Sequence, residues 1–236
     1  MDSECHSMVM EYLMHNCFKN TAKALLKETN KLEQCNKLSG RASKAACQQQ
    51  EDENQWTLLD ARKNLIDAIE QGDIMLAFDL IKRHFPVLAA QDLIPNGIPP
   101  PNNRAEVAEL QDILFQLKCQ RFIEIIRTSS STIDAIRYAQ THLKPTNSRA
   151  KEQVKEVTAL IAYADPRQSQ SSHLLGQQRR EQLASKVNQI LLAQCNLPVQ
   201  TSIEKISRQY SLVEEELLKS ATATSPARTH REKVAI

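Results

Sequence analysis

Leu110-Gln-Asp-Ile-Leu-Phe-Gln-Leu-Lys-Cys-Gln-Arg-Phe-Ile-Glu-Ile-Ile-Arg127 is the stretch that decides the fold. In its first half Leu110, Ile113, Leu114 and Leu117 recur at i, i+3, i+4 and i+7, one face of a helix. In its second half Phe115, Cys119, Phe122 and Ile126 take over, again at helical spacing. An apolar stripe that changes face midway cannot be satisfied by one neighbour, so this helix is packed on two sides. The pattern predicts the central helix of an all-α domain. Its charges, Lys118, Arg121 and Glu124, need the remaining face or a partner.

The rest of the composition agrees with helices. The 236 residues include only 4 glycines, and the long Leu/Ile/Ala/Gln/Lys/Glu runs are helix formers. A net charge of +2 gives no clustered basic footprint for nucleic acid. No run reaches the ~18 apolar residues of a membrane span, and no apolar segment of a signal peptide opens the chain. The six cysteines contain no Cys-x-x-Cys pair and the histidines form no pair, which speaks against zinc. Cys119 lies within an apolar helix, and nothing pairs a nucleophile with a base. There is no phosphate-binding loop. These readings predict a protein with free thiols and no cofactor, metal, membrane or nucleic-acid partner, and no enzymatic activity. Its expected location is the cytoplasm, with the nucleus as a second one.

Outward from the central helix, Trp56–Gln71 and Ile74–Phe85 form two amphipathic helices joined at Gly72-Asp73. Gly72 suits a helix end and Asp73 a cap, and Pro86 is read as the stop. Ala77, Phe78 and Ile81 are read as facing inward. Residues 92–106, with Pro99-Pro100-Pro101, read as an extended loop. A helix from Thr132 to Leu143 should turn Ile133, Ile136 and Ala139 inward. Arg179-Arg180-Glu181 reads as a solvated charge run that opens a helix. Residues 29–55 lose periodicity and read as a polar linker long enough to let the N-terminal helices sit some distance away, with the two helices folded back on the main domain as the alternative.

Those N-terminal helices carry a resemblance. Tyr12-Leu13, Phe18, Thr21-Ala22, Leu25 and Glu28 resemble the LisH dimerisation motif, with Cys17 where the motif has glycine. If that turn needs a positive φ, Asn16 is the residue expected to adopt it. Arg62-Lys63, Ile69-x-x-Gly72, Phe85-Pro86-x-Leu88 and Gln120-x-Phe122-Ile123-Glu124 resemble a CTLH domain. Ala159-Leu160-Ile161-Ala162-Tyr163-x-Asp165-Pro166 and Leu183-Ala184-x-x-Val187-Asn188-x-x-Leu191 resemble the CRA region, nearest to the RanBPM branch. A chain without that branch's SPRY domain is the expectation.

The resemblance implies a LisH hairpin at 1–28, the linker at 29–55, a CTLH part at 56–144 and a CRA part at 145–219. A disordered tail follows at 220–236. It also implies a scaffold subunit of a GID/CTLH-type ubiquitin ligase, whose partners are other LisH-CTLH-CRA chains and a RING subunit. The association residues it implies are Val9, Tyr12, Leu13, Phe18 and Leu25 at the N-terminal contact. Leu183, Val187, Ile190 and Leu191 are those at the CRA contact. A free-standing adaptor of the Ran-binding or cytoskeletal kind is the alternative.

Overall fold

The computed structural model describes residues 3–36, 45–92, 104–129, 131–163, 165–195 and 197–223, and among them it is helical throughout, without a strand. In chain order the helices are α1 (Ser3–His15), α2 (Lys19–Asn36), α3 (Ala45–Gln71), α4 (Ile74–His84) and α5 (Pro86–Asp92). They continue with α6 (Arg104–Thr128), α7 (Thr132–His142), α8 (Ser148–Thr158), α9 (Gln177–Gln194) and α10 (Ser202–Ala223). Three 3-10 turns, Ala159–Ala162, Pro166–Gln168 and Ser172–Leu175, link α8 to α9.

The two stripes of α6 meet two different cores. Ile113, Leu114 and Leu117, with Leu110 beside them, pack into a cluster with Leu65 and Ile69 of α3, Ala77 and Ile81 of α4 and Leu88 of α5. Val187 and Leu191 of α9 complete it. Cys119 and Phe122 belong to a second cluster with Ala135 of α7, Val157 of α8, Leu160 and Leu174, and Phe115 and Ile126 pack against it. A fully buried leucine or phenylalanine contributes about 2 kcal/mol, so losing either stripe would be severe.

Gly72 ends α3 with φ +84. Its N–H reaches the Ile69 carbonyl at 3.0 Å and that of Asp73 reaches Ala68 at 2.9 Å, the paired bonds of a Schellman turn. Asp73 then caps α4 by accepting from the Leu76 N–H at 3.1 Å. Asp165 is likewise a turn residue, accepting from the Arg167 N–H.

Three sequence expectations need correcting, and a fourth is incomplete. Pro86 does follow the end of α4, which stops at His84, but it also opens a helix of its own, taking the first position of α5, where its missing N–H costs nothing. Ile133 and Ile136 face solvent, because α7 buries the small Ala135 against α6 and leans on Tyr138 and Ala139. Most of the segment read as a linker is helical, since α2 runs to Asn36 and α3 starts at Ala45. The tail read from Ser220 begins as the last turn of α10. The proline loop lies almost wholly outside the described residues.

Candidate functional site

The N-terminal hairpin does not stand apart from the body; it is docked on α3 and on the start of α10. Leu13, Cys17 and Ala22 form a small core with Trp56 and Leu59 of α3, with Leu25 packed beside it. Lys23 lies over the Trp56 ring, 5.3 Å from its centroid. Lys19 pairs with Asp60. Arg62, on the next turn of α3, is 2% exposed and donates from Nη2 to the carbonyls of Met14 at 2.5 Å and His15 at 2.9 Å. A guanidinium at the last carbonyls of α1 meets the negative end of that helix dipole. These contacts are why residues 29–55 do not act as a spacer.

The turn between α1 and α2 has a positive φ, +59, and Cys17 adopts it rather than Asn16. Cys17 is also buried, at 4% exposure, with Sγ 3.2 Å from Arg62 Nη2. Asn16 instead stays exposed and donates its side-chain N–H to the Tyr12 carbonyl.

From this docked hairpin rises α10. Thr201 and Glu204 form a capping box: the Thr201 N–H donates to Glu204 Oε2 at 3.0 Å and the Glu204 N–H donates to Thr201 Oγ1 at 3.2 Å. Glu11 of α1 adds a second cap, accepting from the Ser202 N–H at 3.1 Å and its hydroxyl at 2.6 Å. His15 Nε2 hydrogen-bonds the Val199 carbonyl at 3.0 Å. Beyond this base, every residue of α10 from Ile203 to Ser220 is half-buried or exposed apart from the packing of its first turn.

Ile203, Ile206, Tyr210, Val213 and Leu217 recur at alternating steps of three and four along α10 and are 38–68% exposed. Such a stripe is the pattern of a helix that pairs with another helix. On the hairpin beside it Val9, Tyr12 and Phe18 are 40%, 36% and 46% exposed, and the Tyr12 and Phe18 rings lie 6.4 Å apart.

The association residues read from the sequence therefore divide. Val9, Tyr12 and Phe18 reach the surface, Leu25 is half-buried, and Leu13 is spent on the intrachain core at 8% exposure. Leu183, Val187, Ile190 and Leu191 all lie in the core against α3 and α6 and do not reach the surface face.

Arg179-Arg180 is not a solvated run. Arg180 is buried and grips Glu124 of α6 with both arms of its fork, Nε to Oε1 at 2.8 Å and Nη2 to Oε2. Gln120 donates to the same Oε1 at 2.8 Å and accepts from Arg179 Nε at 3.0 Å. The guanidinium also lies over Gly72, whose missing side chain makes room for it. This network joins the α3–α4 turn, α6 and α9, and gives Glu124 its partner.

A cleft of about 770 Å³ opens between the hairpin turn, α3, α9 and the base of α10, with Glu70, Glu181, Glu204 and Arg208 on its walls. Burial, and then the charges of Asp67 and Glu181, push the Glu70 carboxyl above its usual value. Burial also pushes the Cys119 thiol up to about 12, so it is protonated and inert. Among the described residues no group of three or more His, Cys, Asp and Glu is placed to hold a metal ion. No helix there is long and apolar enough to cross a membrane.

The sequence profile of the CTLH/CRA C-terminal to LisH motif domain matches residues 58–218, well over half of the chain. The chain belongs to the CTLH/CRA family. Its matched part holds α4 to α9 complete with the second half of α3 and most of α10, and the docked hairpin precedes it. Similar curated proteins are the Ran-binding protein M homolog of Arabidopsis thaliana and two glucose-induced degradation protein 8 homologs. The first is 25% identical over 172 residues, 69% of this chain and 33% of that protein. The homolog of Nematostella vectensis is 24% identical over 162 residues, 67% of this chain and 64% of that protein. That of Dictyostelium discoideum is 30% identical over 83 residues, 34% of this chain and 36% of that protein. This CTLH/CRA chain thus spans a third to just under two thirds of the length of these relatives.

Residues the sequence did not single out include Glu11, His15, Tyr210 and Val213, and Arg62 was read only as part of the CTLH resemblance. Thr201-x-x-Glu204 was readable as a capping box, and the Ile203–Leu217 spacing as a pairing stripe.

Proposed function

We propose that this chain is a non-catalytic subunit of a GID/CTLH-type ubiquitin ligase, and that it assembles with itself and with other LisH-CTLH-CRA chains. The observation that carries the reading is α10, a 22-residue helix fixed at its base by Glu11 and the capping box, whose apolar stripe is left exposed among the described residues. A soluble chain holds five large apolar side chains in a line when a partner helix buries them. Val9, Tyr12 and Phe18 extend that face onto the hairpin. The likeness to glucose-induced degradation protein 8 homologs supports a place in protein degradation. In this role the chain contributes no chemistry and brings other subunits, a RING-bearing one among them, into one complex.

The experiment is affinity purification of the tagged full chain, beside its Ile206→Asp/Tyr210→Asp variant, with quantitative mass spectrometry of what accompanies each. The reading requires a RING-bearing chain and further CTLH chains with the wild type, and their loss with the variant. Equal recovery with both would remove α10 as the assembly surface. Absence of any RING-bearing chain from the wild type would remove the ligase assignment.

A further inference from the structure

Among the described residues two arginines are buried, Arg62 and Arg180, and only one of their forks holds an oxyanion. Arg180 uses Nε and Nη2 side by side on the two oxygens of Glu124. Arg62 is more deeply buried, at 2% exposure, yet no carboxylate among the described residues lies within ion-pair distance of it. Its Nε is buried without any partner. Its Nη2 is shared between the Met14 and His15 carbonyls and the sulfur of Cys17, 3.2 Å away. A buried guanidinium without a counter-charge is costly, and a half-used fork marks where two oxygens would fit. The group at its mouth is a cysteine, held there on a backbone of φ +59.

We propose that Cys17 is an oxidative modification site, converted by a hydroperoxide to a sulfinate that fills the Arg62 fork. In the first step the Cys17 thiol gives up its proton and its sulfur attacks one peroxide oxygen: an S–O bond forms and the O–O bond breaks. The departing hydroxide, or alkoxide if the peroxide is organic, takes up that proton and leaves as water or an alcohol. Sulfur loses two electrons and the peroxide gains them. A second equivalent repeats the transfer on the sulfenate and gives the sulfinate anion. Its two oxygens then accept from Nε and Nη2, as the Glu124 carboxylate does from Arg180. Arg62 gains its counter-charge, and the hairpin turn is fastened to α3. Among the other described cysteines none accepts a hydrogen bond from a guanidinium: Cys119 is a buried, protonated thiol, Cys5 is exposed, and burial outweighs the nearby Arg62 charge and pushes the Cys195 thiol up.

The test exposes the full chain to graded hydrogen peroxide, then reads the cysteine peptides by mass and the hairpin amides by hydrogen exchange. Two variants accompany it, Cys17→Asp as a carboxylate stand-in and Cys17→Asn as its neutral counterpart, both residue types that tolerate positive φ. The expected result is a gain of two oxygen atoms on Cys17 and about tenfold slower exchange at residues 17–24, the size of one charge-assisted hydrogen bond. Cys17→Asp should show the same slowing without oxidant, and Cys17→Asn should not. The proposal is overturned if Cys17 stays a thiol while Cys5 is oxidised. It is equally overturned if oxidation leaves hairpin exchange unchanged or faster, or if the Asp and Asn variants exchange alike.

Discussion

At the scale of single residues, Gly72 has two reasons to be glycine. Its φ of +84 disfavours any side chain, and a Cβ there would come within 2.6 Å of Arg180 Cζ. Gly72→Ala should therefore add backbone strain and push the guanidinium off Glu124. A loss of roughly 3 kcal/mol is expected, read as a lower midpoint in urea with an unchanged slope. Glu70 gives a pH-dependent case. Its folded carboxyl titrates above the ordinary glutamate value, chiefly because burial disfavours the anion. The ionised form is then a penalty to the fold at neutral pH, and the penalty fades as pH falls through the folded value. Glu70→Gln should raise the melting temperature at pH 7 and lose that advantage once pH is below about 4.5, where both states are protonated. Gly72 was legible because a glycine after an amphipathic run signals a helix end. Arg180 was not, because a sequence shows that a charge is present but not that a carboxylate fifty-six residues earlier waits for it.

At the scale of elements, the two faces of α6 were legible because periodicity reports which side chains line up. Periodicity does not say which of two faces is covered, and α7 shows it. Ile133 and Ile136 are large apolar residues, yet the helix turns Ala135 into the core with Tyr138 and Ala139 beside it and leaves both isoleucines exposed. The same ambiguity governs the association residues. Leu13 and the α9 stripe have the apolar spacing of an interface but are consumed inside the chain, whereas the stripe of α10 is not. The two kinds of position should respond differently to charge. Leu13→Asp would place a carboxylate among Trp56 and Leu59 and should cost about 3 kcal/mol or more, releasing the hairpin. Ile206→Asp, at 50% exposure, should change thermal stability by no more than about 0.5 kcal/mol. Differential scanning fluorimetry on both variants checks the contrast; similar melting losses would mean that α10 packs on the body.

At the scale of the whole molecule, the hairpin, the body and α10 are mechanically one piece. Arg62, Lys19 and Trp56 tie the hairpin to α3, while Glu11 and His15 tie it to the base of α10. The hairpin and the body were readable from their motifs, whereas α10 was covered only by the bounds of the CRA part. Their attachment was not, because it is made by a few polar side chains scattered over nearly two hundred residues of sequence. The consequence is that α1 and the base of α10 are held against each other with apolar side chains exposed on both helices, which suits contact between chains. Light scattering coupled to size exclusion, on the full chain and on Ile206→Asp/Tyr210→Asp at micromolar concentration, measures this most directly. The account predicts a wild-type species of at least two chains and a variant of one chain with an unaltered melting curve. A wild type that already runs as a single chain, or a variant that keeps the wild-type mass, would contradict it.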